Sequence, residues 1–226
     1  MSKIFVGIPS VRNDQAFLES MNEFLPDIGK LHEVKALEVR DKKIDEARNF
    51  IVDEFLKSDS EYLLFLDDDH SGHTVEMLQT LLDINSYVSA IKCYSRFFPY
   101  LANLMDYSGS DDPRIKYKPK DVTVGIHPCD LVGFGMTLIK RATFDLLSRP
   151  YFVAINNGKE DNYFCDSLIK IGIKPMGCFD YTLPHQGIDQ YNAEKMKKEG
   201  LDKIFKNFKD KFPNQEVDKL DMLIIV

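Results

Sequence analysis

Glu61-Tyr-Leu-Leu-Phe-Leu-Asp-Asp-Asp-His70 is the stretch on which the fold turns. Residues 62–66 are apolar without interruption, as a strand buried on both faces of a sheet requires. The run stops at three acids, Asp67, Asp68 and Asp69. Desolvating one unpaired carboxylate costs on the order of several kcal/mol, so the acids belong at the edge of the sheet, beside a partner. If the extended backbone continued past Leu66, Asp67 and Asp69 would point one way and Asp68 the other. Two carboxylates on one side of a strand tip suit a hard divalent cation. The carboxyl ends of strands are also where open α/β sheets bind ligands.

Outward from this strand, residues 3–8 (KIFVGI) form a first apolar strand that stops at Pro9, with Ser10, Val11, Arg12 and Asn13 as the loop after it. Phe17, Met21, Phe24 and Leu25 recur at helical spacing and predict a helix ending near Pro26. A second strand is expected over 34–39, and a helix over 44–56 on Ile44, Ala47, Ile51 and Phe55. A helix over 74–84 and a strand over 87–94 follow the acids. Strand and helix thus alternate through the first hundred residues, which predicts a mostly parallel sheet with helices on both faces and with strand carboxyl ends on one edge.

Residues 96–121 lack a period and read as a long irregular loop with a small hairpin. Residues 129–140 (CDLVGFGMTLIK) are strand-like, with Gly133 and Gly135 marking a bulge or a close approach. A short helix over 142–147, a helix over 160–171 opened by Glu160 and Asp161, and a strand over 173–179 follow. His185 comes in the loop after it. Residues 192–212 pattern as a lysine-rich amphipathic helix with interleaved acids, and the chain closes on LDMLIIV. The expected organisation is a catalytic domain over 1–188 and a C-terminal helical extension over 189–226 packed on it.

Charge and cysteines bound the function. Lys plus Arg number 29 and Asp plus Glu 36, so 29 − 36 = −7, which argues against a broad nucleic-acid surface. Cys93, Cys129, Cys165 and Cys178 form no C-x-x-C pair, so neither a zinc ribbon nor a disulfide framework is indicated. The N-terminus does not read as a signal peptide, and no apolar stretch reaches membrane-spanning length; a cytoplasmic protein is expected. Among single residues, His185 can add an imidazole to the acid cluster as a third metal ligand, with His70 and His73 as rivals nearer in sequence. Arg48 sits one helix before the acids and can face the same cleft. Glu160 and Asp161 suit a helix start, where the dipole lowers a carboxylate's pKa, and also suit a base beside the cleft.

In order along residues 3–188, the chain shows a strand ending in Pro9, Ala47-Arg48-Asn49, the apolar strand with Asp67 to Asp69, a glycine-bearing strand followed by Arg141, Glu160-Asp161, and a late His185. This succession resembles nucleotide-sugar glycosyltransferases of the Rossmann-like GT-A fold, broadly the family 2 enzymes and their relatives. The resemblance implies transfer of a sugar from a nucleoside-diphosphate sugar to an acceptor hydroxyl, on a saccharide, a small molecule or another alcohol. It implies a Mn2+ or Mg2+ cofactor held by Asp69, Asp67 and His185. Pro9, Ser10, Arg12, Arg48, Asp67 and Asp68 would lie on the nucleotide side, and Asp161 would act as the base. Glu160 would cap the helix or hold the acceptor. The family's acidic turn after the second strand is replaced here by Val39-Arg40-Asp41-Lys42. A nucleotidyltransferase would carry a glycine-rich phosphate loop after the first strand, which Pro9 to Arg12 is not. A non-catalytic nucleotide-binding module on the same fold is the other alternative.

Overall fold

The computed structural model describes residues 1–10, 14–94, 102–110, 116–154 and 160–185. Arg12 and the expected C-terminal extension over 189–226 lie outside these residues.

The first strands are β1 (Lys3–Pro9), β2 (Glu33–Val39) and β3 (Tyr62–Leu66), with helices α1 (Gln15–Gly29) and α2 (Ile44–Lys57) between them. Then come α3 (Val75–Ile84), β4 (Val88–Cys93), β5 (Leu104–Tyr107), β6 (Tyr117–Pro119), β7 (Ile126–Pro128), β8 (Leu131–Val132) and β9 (Met136–Lys140). The chain continues through α4 (Arg141–Leu146), α5 (Glu160–Lys170) and β10 (Met176–Leu183). A 7-stranded sheet runs in the order β2-β1-β3-β9-β4-β10-β7, and a 3-stranded sheet in the order β6-β5-β8.

Strand β1 pairs in parallel with β2 and β3, and β4 with β10, while β9 runs antiparallel to both β3 and β4. The sheet is therefore mostly parallel, as expected, with β9 reversed at its centre and β7 antiparallel at its edge. Apolar patterning gives a strand no direction, so the reversal was not legible. It brings the amino end of β9, beside Gly135, to the edge where the parallel strands end.

Alternation along β3 sends Leu63 and Phe65 into one core and Leu64 and Leu66 into the other. The first core takes Ile51, Val52 and Phe55 of α2 with Phe164 and Leu168 of α5. The second takes Phe17, Phe24 and Ile28 of α1 with Leu78 and Leu81 of α3. Burying each strand residue on one face or the other explains the unbroken apolar run.

Three boundaries differ from the sequence expectation. Helix α1 passes through Pro26 to Gly29, where the fully buried Ile28 keeps the last turn against the sheet. The run over 129–140 divides: β8 joins the small sheet and β9 the large one. A Cβ at Gly133 would sit 2.9 Å from the Cβ of Asn103, so the intervening glycine allows the two backbones to meet. The last strand lies later than expected, at Met176–Leu183, because its partner β4 holds it through Leu183. The small hairpin is present as β5 and β6.

Candidate active site

The acids after β3 separate rather than align. The chain turns, with His70 N donating to Asp67 O at 3.3 Å, so the extended geometry that would have put Asp67 beside Asp69 ends at Leu66. Each carboxylate then finds a different partner. Asp67 accepts from Arg48, Asp68 from Ser10, and Asp69 faces His70 and His185.

Asp69, His70 and His185 form a metal-competent group, one ligand atom from each lying within 4.8 Å of the others. Asp69 Oδ2 is 3.2 Å from His185 Nε2, and Asp69 Oδ1 is 2.7 Å from His70 Nδ1. The two imidazoles stack at 4.4 Å with an interplanar angle of 8°. His185 is carried there by backbone pairing: His70 and His185 form an antiparallel bridge, and Ser71 N donates to Pro184 O at 3.0 Å. Gly135 leaves room for the second ring, since a Cβ there would lie 3.0 Å from His70 Nε2. The expected second carboxylate, Asp67, is outside this group, and His70 stands in its place. His73, the other rival, turns toward α1, its Nδ1 3.1 Å from Ser20 Oγ and its ring against Phe17 and Phe24.

The donor set fits a divalent cation. His185 Nδ1 lies 2.8 Å from Tyr94 O; donation to this carbonyl selects the tautomer whose Nε2 lone pair faces Asp69. A lone pair pointed at a carboxylate calls for a proton or a cation between them. His70 Nε2 is buried with no hydrogen-bond partner among the described residues. Burial would raise the Asp69 pKa, but the His185 and His70 imidazoles outweigh it and hold the carboxyl below its usual range. Burial likewise opposes charge on His185, yet Asp69 prevails and its pKa is raised. Two imidazoles and a carboxylate suit borderline ions such as Mn2+ better than Mg2+, which prefers all-oxygen shells.

Arg48 lies inside the protein, 2% exposed. Its guanidinium sits 4.7 Å from the Phe134 ring centroid and 5.2 Å from that of Phe65, Nη2 donates to Asp67 Oδ1 at 2.8 Å, and Nε donates to Glu160 Oε1 at 3.0 Å. Burial acts to lower the Arg48 pKa, but Asp67 and Glu160 reverse this and raise it. Glu160, expected to cap a helix or hold an acceptor, is the buried counter-ion of Arg48. Its neighbour Asp161 departs from the expected direction. Burial of the carboxyl and the charge of Glu160 push its pKa up to about 7, against the lowering expected of a helix N-terminus.

On the other side of the acids, Pro9 ends β1 opposite Val39, and Ser10 N donates to Val39 O at 2.8 Å. Ser10 Oγ donates to Asp68 Oδ2 at 3.0 Å, both residues being buried. Glu38 and Arg40 stand beside them in a two-bond ion pair of 2.7 and 3.0 Å. Pro9, Ser10, Asp67, Asp68 and Asp69 are thus gathered at one edge, with Arg48 beneath.

Two residues singled out by sequence serve the scaffold. Asn49 donates to Phe152 O at 2.7 Å and accepts from Tyr151 N at 3.0 Å, docking the strand-free segment onto α2. Arg141 donates to the carbonyls of Phe55, Leu56, Ser58 and Ser60, closing the carboxyl end of α2. The Tyr94 carbonyl and the place of Gly135 were missed, since neither a main-chain acceptor nor the partner of a glycine leaves a trace in residue type.

No protein-family profile and no curated protein matches the chain. Solved structures do. A197 from STIV matches with a TM-score of 0.56 at 19% identity, over 83% of this chain and 95% of that one. GalNAc-T7, solved with UDP, GalNAc and Mn2+, matches with a TM-score of 0.51 at 11% identity, over 84% of this chain and 44% of that one. The fold is of the Rossmann-like GT-A kind. The chain spans less than half the length of the GalNAc-T7 chain.

Proposed function

We propose that this protein is a metal-dependent glycosyltransferase that uses a nucleoside-diphosphate sugar. The observation that carries the reading is the convergence of Asp69, His70 and His185 at the carboxyl edge of a GT-A-like sheet. The solved structure of GalNAc-T7 with UDP and Mn2+ on a similar fold supports it. Asp69, His70 and His185 would hold the cation. When bound, it supplies positive charge for the diphosphate leaving group.

The remaining roles belong to the chain. Ser10 and Asp68, with Pro9 at the end of β1, would orient the nucleotide, and Arg48 fixes Asp67 beneath it. The acceptor oxygen bonds to the anomeric carbon as the bond from that carbon to the diphosphate breaks, the electron pair leaving with the nucleotide. Asp161 takes the acceptor proton, and a pKa near 7 suits a base working at neutral pH. Glu160 would keep Arg48, and through it Asp67, in register.

The test is calorimetry of UDP and other nucleoside diphosphates with Mn2+, followed by turnover of a panel of nucleotide sugars with mixed acceptors. Metal-dependent binding and sugar release to an acceptor are expected. Absence of nucleotide binding in the presence of Mn2+ rejects the reading; binding without turnover for any donor and acceptor supports a non-catalytic module instead.

A further inference from the structure

A cavity of about 320 Å³ lies between the end of β4, the segment after β6 and β10. That is within the range of small-ligand sites, at about 300–1,000 Å³. A bulge in β10 shapes it. Cys178 pairs with Ile91 and Thr182 with the very next residue, Lys92, so residues 179–181 stand out of the ladder. The bulge is fastened by Phe179 N donating to Gly125 O at 2.9 Å and Gly125 N donating to Asp180 Oδ1 at 2.7 Å. Phe179, 2% exposed, thereby turns inward to line the cavity. Bulges that re-aim a side chain are common beside binding sites.

The other walls combine charge and ring surface. Lys92 Nζ lies 5.9 Å from the Tyr94 ring centroid. Lys120 Nζ is held 2.9 Å from Asp106 Oδ2 and also lines the cavity, as does Asp121. Tyr94 belongs to both places: it lines the cavity, and its carbonyl holds His185. The cavity is therefore one residue from the metal-competent group.

We propose that this cavity is the acceptor site and that it selects a monosaccharide-sized acceptor bearing a carboxylate or phosphate. The inference rests on the transferase reading of the adjacent group. A chain of net charge −7, with acids gathered next door, repels an anion unless local cations receive it. Lys92, lying over the Tyr94 ring, supplies one, and Lys120, whose charge is shared with Asp106, supplies part of a second. Asp121 excludes the anionic end from its own side, which orients the ligand with its charge toward the lysines.

The test titrates metal-free full-length protein with glucose 6-phosphate, glucuronate and glucose, and separately with UDP and Mn2+. Both anionic sugars should bind and glucose should bind more weakly. Lys92→Met and Lys120→Met should each weaken the anionic sugars about tenfold, the equivalent of one charge-assisted hydrogen bond, with UDP–Mn2+ affinity and circular dichroism unchanged. No binding of either anionic sugar, or binding that both lysine variants leave intact, overturns the proposal. Anionic-sugar binding at Lys92 and Lys120 in a protein that ignores UDP–Mn2+ rejects the transferase reading and with it the acceptor role.

Discussion

At the residue scale, the separate partners of Asp67, Asp68 and Asp69 give each a different phenotype. Asp69→Asn and His70→Ala each change one donor of the candidate metal group, and on the proposed function both should abolish Mn2+-dependent UDP binding, by calorimetry, while circular dichroism stays native. His73→Ala should leave that binding intact, because its ring faces Ser20 and α1. Arg48 behaves otherwise. Replacing it with Met strands Asp67 and Glu160 without their shared cation, and breaking a buried ion pair costs about 3–5 kcal/mol. Arg48→Met should therefore appear first as a lowered urea midpoint, and an unchanged midpoint would contradict the buried network.

Asp161 adds a pH signature. Its folded-state pKa of about 7 lies above the ordinary 3.8, so between those values the folded protein binds the proton more tightly than the unfolded chain. The proton-linked stability is present below the ordinary value and is lost as pH rises through the window toward 7. Asp161→Asn cannot ionise. Its melting temperature should gain on the wild type progressively from about pH 4 to about pH 7 and level off above. A gap independent of pH would show that the carboxyl is not perturbed. In the same variant, transfer should fall through kcat with donor binding kept.

At the element scale, the reversed strand β9 matters as much as the acids do. Its antiparallel course brings Gly135 against the ring of His70, 3.0 Å from where a Cβ would stand. Gly135→Ala should displace that imidazole and reduce Mn2+ affinity by tenfold or more, on the order of 1.4 kcal/mol, while the sheet survives. Native-like Mn2+ affinity in this variant would show that the ring has room to spare. Helix α2 shows the opposite division of labour: Arg48 serves the site from its first half, while Asn49 and the Arg141 contacts at its end serve only packing.

At the scale of the whole molecule, the candidate cation would join the end of β3 to the end of β10, 185 − 69 = 116 residues apart in the chain. Binding to the folded state alone stabilises it by mass action, by about 2.7 kcal/mol at a hundredfold excess over Kd. Saturating Mn2+ should raise the melting temperature, and chelation should reverse the rise. A melting curve indifferent to Mn2+ would remove the cross-link.

The alternation of strand and helix, the two-sided burial of β3 and the gathering of acids at its end were legible in the amino-acid pattern. These follow from local apolar period and from the cost of burying charge, both of which act over a few residues. The pattern also marked His185, Asp161 and Arg48 as residues to watch. What they meet depends on how the chain packs. The turn at Asp67 to His70 exchanged Asp67 for His70 in the metal-competent group, the aromatic pocket of Phe65 and Phe134 drew Arg48 out of the cleft, and burial beside Glu160 reversed the expected shift of Asp161. The site also joins residues far apart in the chain, Arg48 to Asp67 over 67 − 48 = 19 residues and Asp69 to His185 over 185 − 69 = 116. The energies of these contacts depend on the dielectric and geometry that packing creates, and residue type alone encodes neither.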